Sequence, residues 1–92
     1  MVTETSRLKV PAHVHAREFD GELIIVDLER GDYFGLDEVG SRMWQGLASG
    51  RSPAEVVDGL LAEYDVEKSR LSVDVLHLVK DLLARGLLVE CP

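Results

Sequence analysis

The chain has 92 residues, the length of one domain and too short for two independent cores. Hydrophobic residues make up 46% and charged residues 29%, which excludes a disordered chain, and no apolar run approaches the ~20 residues that span a bilayer. Seventeen acidic against ten basic residues leave a formal charge of −7, a balance that repels a phosphate backbone, argues against a nucleic-acid partner and favours a protein or peptide.

Residues 1–11 are polar and without a period, and they close on Pro11. They read as a flexible N-terminal arm or a first edge segment, with one domain expected over residues 12–92. No signal-peptide segment opens the chain, so a cytoplasmic location is expected. Residues 12–19 alternate, with Val14 and Ala16 opposed to His13, His15 and Arg17, the period of a strand with one wet face. His13 and His15 share that face, but no third ligand lies nearby. They read as a solvent-facing pair, and neither a metal nor a cofactor is expected. Asp20-Gly21 is a hairpin signal, and the aliphatic run that follows, residues 23–28, suits a second strand. Residues 29–32 form a polar turn around Gly31. The third strand is short: Asp32, Tyr33, Phe34, Gly35 and Leu36. If no later strand covers it, it is an open edge, which must be protected or used.

Asp37 is placed to cap a first helix over residues 38–48, whose Val39, Met43, Trp44 and Leu47 form an apolar stripe, with Trp44 read as core. Ser52-Pro53 starts a second helix of about twelve residues, a helix-turn-helix spacing. A third helix runs to Arg85, with Gly86 at its stop. At 100° per residue, and with Leu71 at zero, Leu78, Leu82, Val75, Val79, Leu83 and Leu76 fall between about −20° and about 140°. That arc is wider than an ordinary surface helix needs. A core centred on Leu71, Val75, Leu78 and Leu82 leaves Leu76, Val79 and Leu83 overhanging, either covered by the N-terminal segment or forming a wall of an apolar groove.

No catalytic constellation is present. Cys91 stands alone near the end, the three histidines have no nucleophile placed beside them, and the glycines form no phosphate loop. An enzyme is not expected. Two binding classes remain: a winged-helix DNA-binding regulator, and a module that adds a guest strand to its open sheet edge. The candidate recognition helix offers only Lys68, Arg70, Lys80 and Arg85, offset by Glu67, Asp74 and Asp81, which disfavours the first.

Taken together, ELIIVDLERGDYFGLDEVGSRMW, the Ser-Pro helix start and DVLHLVKDLLARGLL resemble the PqqD-like domains, also called RiPP recognition elements. The most specific part is G-x-Y-x-x-L at Gly31, Tyr33 and Leu36, followed by Gly40 and Trp44, and the resemblance covers about residues 12–90. It implies an α+β, winged helix-turn-helix-like fold, with an N-terminal three-stranded antiparallel sheet followed by three helices. It implies that the leader of a ribosomally made precursor peptide pairs antiparallel with the third strand, along Asp32, Tyr33, Phe34, Gly35 and Leu36. The leader would also lie against the third helix, among Val75, Leu76, Val79, Leu82 and Leu83. A charge at Val79 or Leu83 is then expected to abolish binding and spare the fold. A free-standing chain of this length resembles the leader-binding partner of lasso-peptide pathways, which delivers the precursor to a separate leader peptidase and a macrocyclase. The alternative within the family is a PqqD-type chaperone serving a radical tailoring enzyme. An open edge also allows a homodimer through the third strand.

Overall fold

The structure, a computed structural model, describes residues 2–91; Met1 and Pro92, the outer ends of the expected arm and domain, lie outside the described residues. In chain order the elements are β1 (Leu8–Lys9), β2 (Val14–Phe19), β3 (Glu22–Asp27), β4 (Asp32–Leu36), α1 (Glu38–Ala48), α2 (Pro53–Leu61), α3 (Lys68–Ala84) and β5 (Val89–Glu90). The class is α+β. Strands β2, β3 and β4 form an antiparallel meander with β3 in the middle, and β1 pairs with β5 in a separate ribbon.

Local chemistry explains the boundaries. Asp20 and Gly21 both have positive φ, 50° and 84°, the backbone of a two-residue turn whose twist suits the flanking strands. In the β3–β4 turn the Asp27 carboxylate accepts from the Glu29 and Arg30 N–H groups at 3.0 and 3.1 Å, and Gly31 takes φ 75°. Asp37 caps α1 by accepting from the Gly40 N–H at 2.8 Å. Ser52 and Glu55 form a reciprocal capping box at α2, with Pro53 in the first turn. At the end of α3 the Leu87 N–H bonds back to the Leu82 carbonyl at 2.9 Å, which turns Leu87 and Leu88 into the core.

The core lies between the inner face of the meander and the helices. Leu23 and Ile25 meet Met43, Trp44 and Leu47 of α1, Val56, Val57 and Leu60 of α2, and Leu71, Val75, Val79 and Leu82 of α3. Leu8 joins them at 1% exposure. The expected free arm is therefore corrected over residues 4–9. The orphan Ala54 N–H in the first turn of α2 needs an acceptor, and the Glu4 carbonyl supplies it at 2.9 Å. Arg7 donates to the Gly50 carbonyl at 3.0 Å and pairs with Glu55.

Helices α1 and α2 cross closely because Gly46 has no side chain: a Cβ there would stand 2.8 Å from Val56 Cγ2. Val56 is buried and stiff at χ1, so it cannot give way cheaply. Gly46→Val is expected to destabilise the fold by about 1–3 kcal/mol, read as a lower midpoint in urea unfolding; an unchanged midpoint would show that the crossing is loose.

Candidate functional site

The site is built from the pairing phase of the meander. In a two-residue hairpin the flanking residues form a hydrogen-bonded pair, and such pairs alternate along the ladder. Starting from Phe19 and Glu22, the bonded pairs are Arg17 with Ile24 and His15 with Val26. The next step, His13 with Leu28, is bonded at 2.9 Å, which fixes the phase. Ile24 and Val26 thus turn their backbone groups toward β2, and Leu23, Ile25 and Asp27 turn theirs toward Leu36, Phe34 and Asp32 of β4. That leaves the N–H and C=O of Tyr33 and Gly35 facing the open edge of β4.

The meander has two edges, and they differ. On β2, Glu18 lies opposite Leu23 on the inner face and accepts from Gln45 Nε2 at 2.5 Å. An inward-facing charge of this kind blunts an edge against further pairing. The middle of β4 carries Phe34, Gly35 and Leu36 instead. Phe34 and Leu36 are half-buried, and Tyr33 is 77% exposed.

Helix α3 runs beside this edge, and a cleft separates the two. At one end the cleft is bounded by Gly35, Leu36 and Met43 together with Asp74 and Leu78. At the other end it is bounded by Asp32, Tyr33 and Phe34 together with Ala84 and Arg85. The Arg85 guanidinium lies 4.5 Å from the Phe34 ring centroid, and its Nε donates to Asp81 Oδ1 at 3.1 Å. Charge is therefore uneven along the cleft: Asp37 and Asp74 make the Leu36 end acidic, whereas at the Asp32 end Arg30 and Arg85 are balanced by Asp27 and Asp32.

The expected strand residues Asp32, Tyr33, Phe34, Gly35 and Leu36 all line this edge. The expected helix residues divide differently. Val75, Val79 and Leu82 are each 0% exposed and belong to the core. Leu76 is half-buried on the far flank, against Pro53, Ala54 and Val57 of α2. Leu83 shares that flank by helical phase, about 140° from Leu78. The structure does not bring these five to the cleft. At 100° per residue, the phase reading put the core's centre about 25° too far toward Leu78. The helix is rotated so that Val79 is fully inside and Leu78 is at the margin, where it is half-buried. Asp74, Leu78 and Arg85 were missed, because sequence spacing cannot say which flank of a wide stripe meets the sheet.

A carboxylate placed at Val79 would be buried without a partner, a cost of several kcal/mol against a total stability of about 5–15 kcal/mol. Val79→Glu is expected to lose the cooperative unfolding transition in circular dichroism, whereas Leu78→Glu keeps it. A cooperatively folded Val79→Glu chain would contradict this placement.

The turn that sets β4 depends on Asp27, which is buried. Donation from the Arg30 N–H holds its carboxyl below the ordinary carboxylate range; burial opposes this, and the Glu29 N–H and the nearby His13 and Arg30 reinforce it. His13 Nε2 lies 3.9 Å from Asp27, and its Nδ1 lies 3.2 Å from Glu29. Among the described residues no group of three or more His, Cys, Asp or Glu could hold a metal ion. Because the folded chain favours the ionised form of Asp27, its stabilisation is complete above the ordinary carboxylate pKa of about 4 and is lost as pH falls through the lower folded value. Thermal midpoints are expected to drop on acidification through that window, and Asp27→Ala is expected to lower the neutral midpoint and flatten the acid limb. An unaltered acid limb in the variant would exclude Asp27 as its source.

Comparison with known proteins gives a consistent neighbourhood. The family model described as "Coenzyme PQQ synthesis protein D (PqqD)" matches residues 22–88. The "PqqA binding protein" of Rhodopseudomonas palustris strain TIE-1 is 29% identical over 91 residues, covering 97% of this chain and 87% of that one. Its counterpart in Bradyrhizobium diazoefficiens is 28% identical over 89 residues. Among solved structures, TbiB1 in complex with the TbiA(beta) leader peptide superposes with a TM-score of 0.82 at 38% identity, covering 87% of this chain and 93% of that one. A lasso peptide synthetase B1 complexed with its leader peptide also superposes with a TM-score of 0.82, at 27% identity, covering 89% and 96%.

Proposed function

The chain belongs to the PqqD family, and from that premise we propose that it binds the leader segment of a ribosomally made precursor peptide by strand addition to β4. The observation that carries this reading is the open β4 edge, with the Tyr33 and Gly35 backbone groups facing outward beside an apolar-floored cleft. Main-chain hydrogen bonds supply affinity in such a mode, and alternate side chains supply specificity. The guest runs antiparallel to β4, its inward side chains resting between Phe34, Leu36 and Leu78. Its N-terminal half then lies by Asp37 and Asp74, which suits basic residues, and its C-terminal half lies by a balanced set, Arg30 and Arg85 with Asp27 and Asp32. The likeness to leader-bound B1 proteins supports a lasso-peptide pathway, in which the cytoplasmic chain delivers the leader to a peptidase and then a macrocyclase without a catalytic step of its own. The helices and the meander make a winged helix-turn-helix-like frame, whose acidic surface suits a peptide rather than nucleic acid or membrane. A second copy pairing through β4 would occupy the same edge, so dimer and leader complex are mutually exclusive.

The test isolates the backbone donor. Proline is tolerated on an edge strand where its missing N–H faces outward, so Tyr33→Pro removes a guest hydrogen bond and spares the β3 pairing. Calorimetry with leaders of precursors encoded beside the chain's gene, and with the TbiA(beta) leader as a reference probe, should give about tenfold weaker binding for Tyr33→Pro than for Tyr33→Ala. Leu78→Glu should abolish binding, and higher salt should weaken it. Equal affinities for the proline and alanine variants would sink the strand-addition reading.

A further inference from the structure

A second notch lies where α1 crosses α2, and it shares no residue with the cleft beside β4. It is open to solvent, with a volume of about 290 Å³. Gly46 and Gly59 line it from the two helices, over the buried Val56 and Leu60. At its rim Arg42 pairs with Glu63 across the helices, and Gln45 gives its amide to Glu18. Ser49 gives its hydroxyl to the Gly46 carbonyl at 2.8 Å. Arg51, in the connection between the helices, also lines the notch, and its guanidinium has no ion pair among the described residues. Gly46 is explained by the close helix crossing, but Gly59 is not. Its φ lies outside the left-handed region, and a Cβ there would meet only Arg51 Nη1, at an ordinary 3.8 Å. Glycine inside a helix is less stable than alanine, and nothing in the chain's own packing requires it here. What the bare Gly59 backbone does is keep the space beside Arg51 clear.

The charges in the notch are unequal. Glu63 is held by Arg42, whereas Arg51 remains uncompensated, a local cation on a chain of net charge −7. A guanidinium presents a planar fork of donors that a carboxylate matches with two hydrogen bonds. A phosphate suits the notch less, because its second negative charge would face Glu63. An exposed ion pair is worth too little to retain a free carboxylate, so the carboxylate must come on a protein that adds contacts of its own. We propose that the α1–α2 notch is a docking site for an acidic side chain of a partner protein, its carboxylate received by Arg51 beside the bare backbone of Gly59. The site goes beyond leader binding and does not depend on it. Because the β4 cleft lies elsewhere, leader and partner are held at the same time.

The probe is a displayed library of short random peptides, depleted on Gly59→Gln and then panned on the intact chain. Glutamine fills the notch and favours helix, and Arg51→Gln removes the charge at an exposed position. Both variants should therefore melt no lower than wild type. Retained peptides should share an Asp or Glu. Replacing it by Asn or Gln should weaken binding about tenfold to wild type but less than about threefold to Arg51→Gln, a coupling read from the double-mutant cycle. Saturation with the TbiA(beta) leader should leave these affinities unchanged; a leader that fails to bind ends the leader reading alone and leaves the notch intact. The docking site is overturned if no binder survives depletion, if the binders share no acid, or if losing the acid costs the same on both chains. Displacement of the peptides by the leader would place them in the β4 cleft and overturn it as well. Displacement by inorganic phosphate but not by acetate at equal ionic strength would overturn it in favour of a phosphate site.

Discussion

The rotation of α3 about its own axis is the constraint on which the site depends. Leu71, Val75, Val79 and Leu82 are buried together, and turning the helix to expose them would forfeit about 1.5–3 kcal/mol for each side chain. With that rotation set, the two flanks of the helix are assigned. One carries Leu76 toward α2, and the other carries Asp74, Leu78 and Arg85 toward β4. The cleft is thus a by-product of core packing.

The facing wall is set by a different interaction, the backbone phase of the β2–β3 turn. Asp20 and Gly21 adopt the positive φ values of a two-residue turn, and this decides which residues of β3 bond to which neighbour. The consequence is transmitted across β3 to β4, where Tyr33 and Gly35 are left with free backbone groups. A shift of one residue would instead free Phe34 and bring its side chain out of the core face. Asp27 secures the second turn and holds β4 in that register. A side chain at one end of the cleft therefore also fixes the register of the cleft's edge.

The electrostatics of the cleft are arranged by local pairs whose individual worth is small. Arg85 and Asp81 are half-exposed, and an exposed pair of this kind contributes little to stability. Their effect is positional: Asp81 steadies Arg85 while its guanidinium rests over Phe34. This keeps a cation beside Asp27 and Asp32 at one end of a cleft whose other end is acidic. A net charge of −7 attracts basic segments from a distance.

Read alone, the sequence already determined the class, the meander, the three helices and the edge strand, because each is specified locally. The two-residue period of residues 12–19, the Asp20-Gly21 turn, the Asp37 and Ser52 caps and the apolar stripes depend on neighbours a few residues apart. It also held the family likeness in Gly31, Tyr33, Leu36 and Trp44. Only the tertiary structure decided which flank of α3 faces β4. Leu76, Leu78 and Leu83 are chemically alike, and they differ only in what the rest of the chain packs against them. The docking of residues 4–9 was illegible for the same reason, since the Ala54 N–H that holds Glu4 is fifty residues away. Gly35 combines both cases. Its place in the edge strand was plain from the sequence, but its φ and its uncovered partner Ile24 became visible only when the strands were paired.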